Sequence, residues 1–275
     1  MNTVHAPSTS SLLSFQGGLI RSELLGNEGL PWLVMCHGLG LNVKDLRPIA
    51  ESLAKEWRVL LWDMPGHGAS QPAPHDYHAA EMAQTLEFLI SAHGVTKPVL
   101  FGFSFGGVVA QYFIRQNPGA ARGFVAYACF APFSQPRVSP CFLVRLSVAS
   151  LRVQRWDNIC DKFSRQCAVT LIAQQHVRGE VEQLNKGEFA RMAIAVHTAF
   201  DPDPLFRLDL PVLLIRGSLD SGKLALAQSE MALTRIAPNI ARVTVQGAGH
   251  CAHLDQPDRF LAAVRPFLSR LMQTS

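Results

Sequence analysis

A chain of 275 residues, 48% hydrophobic and only 17% charged, is long enough to bury a sizeable core and too apolar to remain disordered. Its 25 Lys and Arg against 21 Asp and Glu leave a net charge of +4, too small and too scattered a surplus to mark a nucleic-acid binder. No run of eighteen apolar residues suggests a spanning helix, and residues 1–10 lack the basic start of a secretory leader. The six cysteines, Cys36, Cys129, Cys141, Cys160, Cys167 and Cys251, form no C-x-x-C pair or dense framework, so free thiols in a reducing cytoplasm are expected.

In chain order, Leu12–Gln16 and Leu19–Leu25 flank Gly17-Gly18 and predict a hairpin. Trp32–Cys36 reads as a strand, and Asp45–Glu56 as a helix through the spacing of Leu46, Ile49, Ala50 and Leu53. Trp57–Trp62 is a strand, Ala79–Ala92 a helix, Pro98–Phe103 a strand, and Phe105–Gln116 a helix stopped by Asn117-Pro118-Gly119. Gly123–Phe130 adds a further strand. Continuous apolar strands alternating with helices point to a parallel sheet covered on both faces, because neither face then meets water.

The alternation stops over residues 131–205, where no strong strand appears. It resumes with a strand at Pro211–Arg216, a helix at Leu224–Ala237, a strand at Arg242–Val245 and a closing helix at Pro257–Met272. Residues 1–130 and 206–275 are therefore expected to form one α/β core, with 131–205 inserted into it.

The sharpest motif is Gly102-Phe103-Ser104-Phe105-Gly106-Gly107, set between a predicted strand and a predicted helix. A serine in so tight a turn is forced into strained backbone geometry, and the small residues two positions either side let the chain pass. The hydroxyl then stands exposed, with the helix N-terminus aiming N–H groups at any oxygen that becomes negative there. A phosphate-binding loop is a poor fit: no Lys-Ser or Lys-Thr follows, and the glycine spacing is not that of a dinucleotide site.

With these motifs the chain resembles the α/β-hydrolase fold. The resemblance runs through His37-Gly38-Leu39-Gly40, the turn from Asp63 to Ser70, the Ser104 elbow, Gly217-Ser218-Leu219-Asp220 and Gly247-Ala248-Gly249-His250. It implies a mostly parallel eight-stranded central sheet with helices on both faces, and a helical lid after the sixth strand. It also implies Ser104 as nucleophile, His250 as base and Asp220 as the acid that orients it. The backbone N–H groups of Leu39 and Phe105 would then form an oxyanion hole. Asp209 precedes its strand and so points to the wrong end of a parallel sheet, while Asp255 and Asp258 are expected to cap the last helix. His253 is read as a supporting residue, and His37, Asp63 and His67 as residues that shape loops. No H-E-x-x-H spacing is present, and neither metal nor cofactor is expected.

At the start of the insertion, Phe130, Phe133 and Phe142, with Phe103 beside the serine, are candidates for an apolar acyl pocket, the alternative being plain core packing. The segment Phe142–Trp156 is basic and amphipathic, with Arg145, Arg152 and Arg155 near one helical face. It suits a solvated lid helix, or contact with an anionic substrate, a phosphopantetheine carrier protein or an anionic surface. The expected reaction is cleavage of a small-molecule ester, thioester or lactone through an acyl-enzyme. The alternatives are carbon–carbon bond hydrolysis of a diketone-type acid and a ligand-binding receptor that retains the triad. Serine rather than aspartate at the elbow argues against a dehalogenase or an epoxide hydrolase.

Overall fold

The computed structural model describes residues 8–72, 77–134, 151 and 153–273, with only the backbone for 223–226. Eight strands form one sheet in the order β1-β2-β4-β3-β5-β6-β7-β8. They are β1 (Ser8–Phe15), β2 (Gly18–Leu25), β3 (Trp32–Cys36), β4 (Arg58–Trp62), β5 (Val99–Phe103), β6 (Gly123–Tyr127), β7 (Val212–Gly217) and β8 (Ile240–Val245). Among the described residues, only the pairings of β2 with β1 and with β4 are antiparallel; the six strands from β3 to β8 run parallel.

Alternation along these strands divides the core. Val34, Leu60, Leu100 and Leu214 face one layer, where they meet α2 (Ala79–Ala92) and α3 (Phe105–Gln116) through Leu86, Val108 and Tyr112. Their neighbours Leu33, Val59, Phe101 and Leu213 face the other, packed on Leu46 and Leu53 of α1 (Val43–Leu53) and on Phe260 and Val264 of the final helix. Both faces are dry, which is why the parallel strands read as unbroken apolar runs rather than alternating ones. Each such side chain contributes about 1.5–3 kcal/mol by leaving water.

Several boundaries differ from the sequence reading for local reasons. The hairpin turns at Gln16-Gly17 rather than at the glycine pair: Gly18 pairs with Phe15, and Gln16 and Gly17 take φ of 48° and 78°. A two-residue turn between right-twisted strands needs positive φ at both central positions. The first helix begins at Val43, two residues early, because the Asn42 side chain accepts the Lys44 N–H and caps it. Strand β6 stops at Tyr127 because Ala128, at φ 44°, turns the chain out of the sheet.

Among the described residues between β6 and β7 lie the helices α4 (Trp156–Cys167), α5 (Leu171–Glu182) and α6 (Lys186–Thr198). Ile159, Cys160, Val181 and Phe189 form a small core among them. After β7 come α7 (Lys223–Ile236), then β8, a short unanticipated helix α8 (Ala252–Asp255), and α9 (Pro257–Gln273). Asp255, expected as a helix cap, is instead a buried joint. Its carboxylate accepts the N–H groups of Gly249 at 2.8 Å, Thr170 at 2.8 Å and Val169 at 3.1 Å, tying α5 to the loop after β8. A second tie is the Cys251 N–H donated to the Cys167 carbonyl at 2.7 Å. Cys36, Cys129, Cys160, Cys167 and Cys251 are free and buried, whereas Cys141 lies outside the described residues. No helix among the described residues is long and apolar enough to cross a membrane.

Candidate active site

Ser104 ends β5 and opens α3 with φ 51°, a left-handed conformation that an L-residue holds only under tertiary constraint. The constraint is close packing. A Cβ on Gly106 would lie 2.4 Å from the carbonyl oxygens of both Cys36 and His37, and one on Gly102 would lie 2.4 Å from the Gly107 Cα. The elbow exists because these positions carry no side chain.

Two loops at the same edge of the sheet bring partners to the serine. His250, after β8, places Nε2 2.9 Å from Ser104 Oγ, and its Nδ1 is 2.7 Å from Oδ2 of Asp220, which follows β7. The other Asp220 oxygen accepts the Gly222 N–H at 2.9 Å. Since the carboxylate only accepts, the imidazole donates from Nδ1, which leaves the Nε2 lone pair facing the serine hydroxyl.

Asp220 is 1% exposed. Burial opposes its charge, but the His250 hydrogen bond and charge and the Gly222 N–H outweigh it, holding the carboxyl below its ordinary value. Burial likewise opposes the His250 cation, yet the bond and charge of Asp220 win, and the imidazole is raised above 6.5.

The loop after β3 runs against the serine: a Cβ on Gly38 would come within 3.4 Å of the Ser104 Cβ. Two buried histidines pin this loop. His37 donates from Nδ1 to the Gly38 carbonyl and accepts the Met64 N–H at Nε2, at 2.8 and 2.9 Å. His67 donates to the Pro65 carbonyl and accepts the Gly40 N–H, both at 3.1 Å. Burial lowers their pKa values to about 4 and about 3, so both rings are neutral struts. Asp63 closes the frame by accepting the Val43 and Ala69 N–H groups at 2.8 and 2.9 Å. With the Gly40 N–H committed to His67, Leu39 supplies the loop's N–H nearest in sequence to Gly38, and Phe105 supplies the first N–H of α3.

The aromatic candidates divide. Phe103 is 1% exposed and stacks on Tyr127, with ring centres 4.4 Å apart, while its other neighbours are the His250 and His253 rings. Phe133 is buried against Tyr112 and Phe206 beneath the Arg115 guanidinium. Both are packing residues rather than pocket walls, because neither leaves a face open. Phe130 is partly buried and stacks on Phe200. Phe142, Arg145 and Arg152 lie outside the described residues; Arg155 is exposed at the start of α4.

Leu39 borders an open cleft of about 320 Å³ walled by the inserted helices through Ile159, Lys162, Phe163, Phe189 and Val196. The apolar spacing of Trp156, Ile159 and Phe163 in the sequence was the available signal for this wall. Among the described residues no group of three His, Cys, Asp or Glu side chains is arranged to hold a metal ion.

A sequence model described as the alpha/beta hydrolase family matches residues 33–263. Pimeloyl-[acyl-carrier protein] methyl ester esterase of Yersinia pseudotuberculosis is 30% identical over 254 residues, covering 87% of this chain and 94% of the relative. Among solved structures, a hydrolase from Pseudomonas aeruginosa superposes with a TM-score of 0.82 at 22% identity, covering 94% of this chain and 98% of its own. A thermophilic esterase from Thermogutta terrifontis gives 0.80 at 23% identity, covering 97% and 99%.

Proposed function

The chain belongs to the alpha/beta hydrolase family, and on that premise we propose that it hydrolyses an acyl ester through a covalent acyl-enzyme on Ser104. It is an esterase-type enzyme of that fold. The observation that carries the mechanism is the continuous relay of 2.9 and 2.7 Å from Ser104 through His250 to Asp220.

As Ser104 Oγ attacks the ester carbonyl, His250 Nε2 takes its proton, and Asp220 stays ionised and stabilises the imidazolium. The carbonyl oxygen, now negative, accepts the N–H groups of Leu39 and Phe105; one such donor is worth about 2.7–4 kcal/mol in the transition state. His250 returns the proton to the departing alcohol. Water then repeats the sequence on the acyl-serine and regenerates the hydroxyl. Thioesters and lactones react by the same steps.

The cleft beside Leu39 receives the acyl chain, and residues 131–205 act as the lid that shapes it. The similarity to an esterase that acts on a carrier-borne methyl ester supports a small alcohol as leaving group and an acyl chain presented on a carrier protein. Arg155, exposed beside the insertion and near its own Asp157, adds positive charge that would favour an acidic carrier.

The test is a hydrolysis panel that varies acyl length, acyl charge and leaving group, run with Ser104→Ala. Methyl esters of medium-length acyl chains are expected to be turned over, with a fluorophosphonate labelling Ser104 and the alanine variant inert on every substrate. Turnover that survives in Ser104→Ala refutes the acyl-enzyme.

A further inference from the structure

Behind the relay lies a second carboxylate and imidazole that the mechanism does not use. His253 and Asp45 are both fully buried, and His253 Nε2 lies 3.1 Å from Asp45 Oδ1. Neither atom has a hydrogen-bond partner among the described residues, so their contact is one of charge and proximity. His176 Nε2 approaches the same oxygen at 3.9 Å from α5. A buried carboxylate with so little compensation is costly, and such a group persists where the surrounding structure uses it.

The other side of the His253 ring leads back to the active site. Its Nδ1 is 2.9 Å from the Tyr127 hydroxyl, which also accepts the His253 N–H at 3.2 Å and donates to the backbone carbonyl of His250 at 2.9 Å. The hydroxyl has one proton, and the His250 carbonyl can only accept. That proton is therefore spent on His250, so His253 Nδ1–H donates to the tyrosine; because a carboxylate only accepts, the ring that also holds Asp45 must carry a hydrogen on Nε2 as well. Phe103 fills the space between, its ring centre 5.1 Å from that of His250 and 5.2 Å from that of His253.

We propose that Tyr127, His253 and Asp45 form a positioning chain that fixes the backbone of His250, so that its ring meets Ser104 and Asp220 together. Tyr127 holds the carbonyl, His253 holds Tyr127, and Asp45 on α1 abuts His253 within the same layer of the molecule. The inference rests on His250 as the proposed base and adds residues that touch neither substrate nor the reacting atoms. Loosening the chain displaces the imidazole without altering the acyl cleft, so it acts on kcat rather than on KM.

Tyr127→Phe is the sharpest probe, since it removes one hydroxyl and keeps the ring against Phe103 and Phe260. Turnover of an activated ester is measured per active site titrated with a fluorophosphonate, so that any unfolded fraction is not counted. The expected result is a fall in kcat of about 10- to 100-fold, the size of effect that ~1 Å of misplacement produces, with KM held within about twofold. Asp45→Asn, which still offers His253 an oxygen but no charge, should lose less than Tyr127→Phe. Ser104→Ala runs alongside. If it is inert while Tyr127→Phe keeps wild-type kcat per titrated site, or changes only KM, the positioning chain is refuted and the acyl-enzyme stands. If Ser104→Ala turns over substrate, the acyl-enzyme reading fails and takes the chain with it.

Discussion

Gly106→Ala should cripple turnover while leaving the protein folded, and the size of the effect can be worked from the contacts. The new methyl would sit 2.4 Å from the carbonyl oxygens of Cys36 and His37, where ordinary contact needs about 3.4 Å, so roughly 1 Å of separation must be found. Both oxygens belong to backbone, and no rotamer change can supply it. Either the start of α3 or the chain leaving β3 has to move. The first carries Ser104 and the Phe105 N–H, the second leads to the Leu39 N–H, so either response parts the nucleophile from half of the proposed oxyanion hole. A ~1 Å error of this kind costs about 10²-fold in rate, and complete loss of one donor up to about 10³-fold. Overpacking costs the fold about 1–3 kcal/mol, or on the order of 2–12 °C in Tm for a chain of this size. Kinetics on an activated short-chain ester, normalised by active-site titration, give the first number and a circular-dichroism melt the second. Gly179→Ala is the matched control: it lies exposed in α5, nothing would contact its Cβ within 4 Å, and helix propensity should make it neutral or slightly stabilising. A Gly106→Ala enzyme with kcat within about threefold of the parent would refute the account of the elbow.

Asp220→Asn should lower kcat by about four decades with the melt largely unchanged, because the amide no longer selects the Nδ1–H tautomer of His250; near-normal turnover would move the acid elsewhere. The pH profile of kcat/KM should show an acid limb set by His250. Only the neutral ring accepts the serine proton and its pKa is raised above 6.5, so activity should fall as pH drops through a value above 6.5, and a midpoint below that value contradicts the relay. Stability should carry a separate acid signature. His37 is held neutral in the folded state down to about 4, whereas its unfolded form takes a proton near 6.5. The stability present above pH 6.5 is therefore lost as pH falls toward 4, by on the order of 3 kcal/mol for this residue, and His67 adds to the loss in the same direction. Urea titrations between pH 7.5 and about 4 measure it, and a flat profile would mean that these rings are not neutral struts.

The layered sheet was legible because its physics is local and repeated. A strand buried on both faces must be apolar throughout, and the runs Pro98–Phe103 and Gly123–Phe130 carry that pattern around the fully buried strands Val99–Phe103 and Gly123–Tyr127. What the pattern missed was decided by single side chains meeting distant backbone. Asn42 moved a helix start by capping it, and Gln16 took a left-handed turn position that its residue type does not advertise. Ser104 stands out by its elbow motif, while Asp220 and His250 are assigned through the resemblance to the α/β-hydrolase fold; all three stand in turns after strands, which the parallel sheet brings to one edge. The apolar pocket could not be placed that way. Phe103 is as hydrophobic as Phe163, and only the tertiary packing separates the ring sealed in the core from the partly buried one that borders the cleft.

Asp255 shows how the insertion and the site are mechanically joined. In sequence it looks like an ordinary acidic residue before a proline-started helix, yet three N–H groups, one from nearby in the chain and two from a distant segment, converge on its buried carboxylate. One of them belongs to Gly249, the residue before His250, and the other two to Val169 and Thr170 at the start of α5. The Cys251 N–H bonded to the Cys167 carbonyl flanks His250 on its other side. On the sheet side, the Tyr127 hydroxyl and Asp220 hold the same residue. The insertion is thus tied by hydrogen bonds to the residues immediately before and after His250, so the position of that ring depends on contacts made by α5 and by the end of α4.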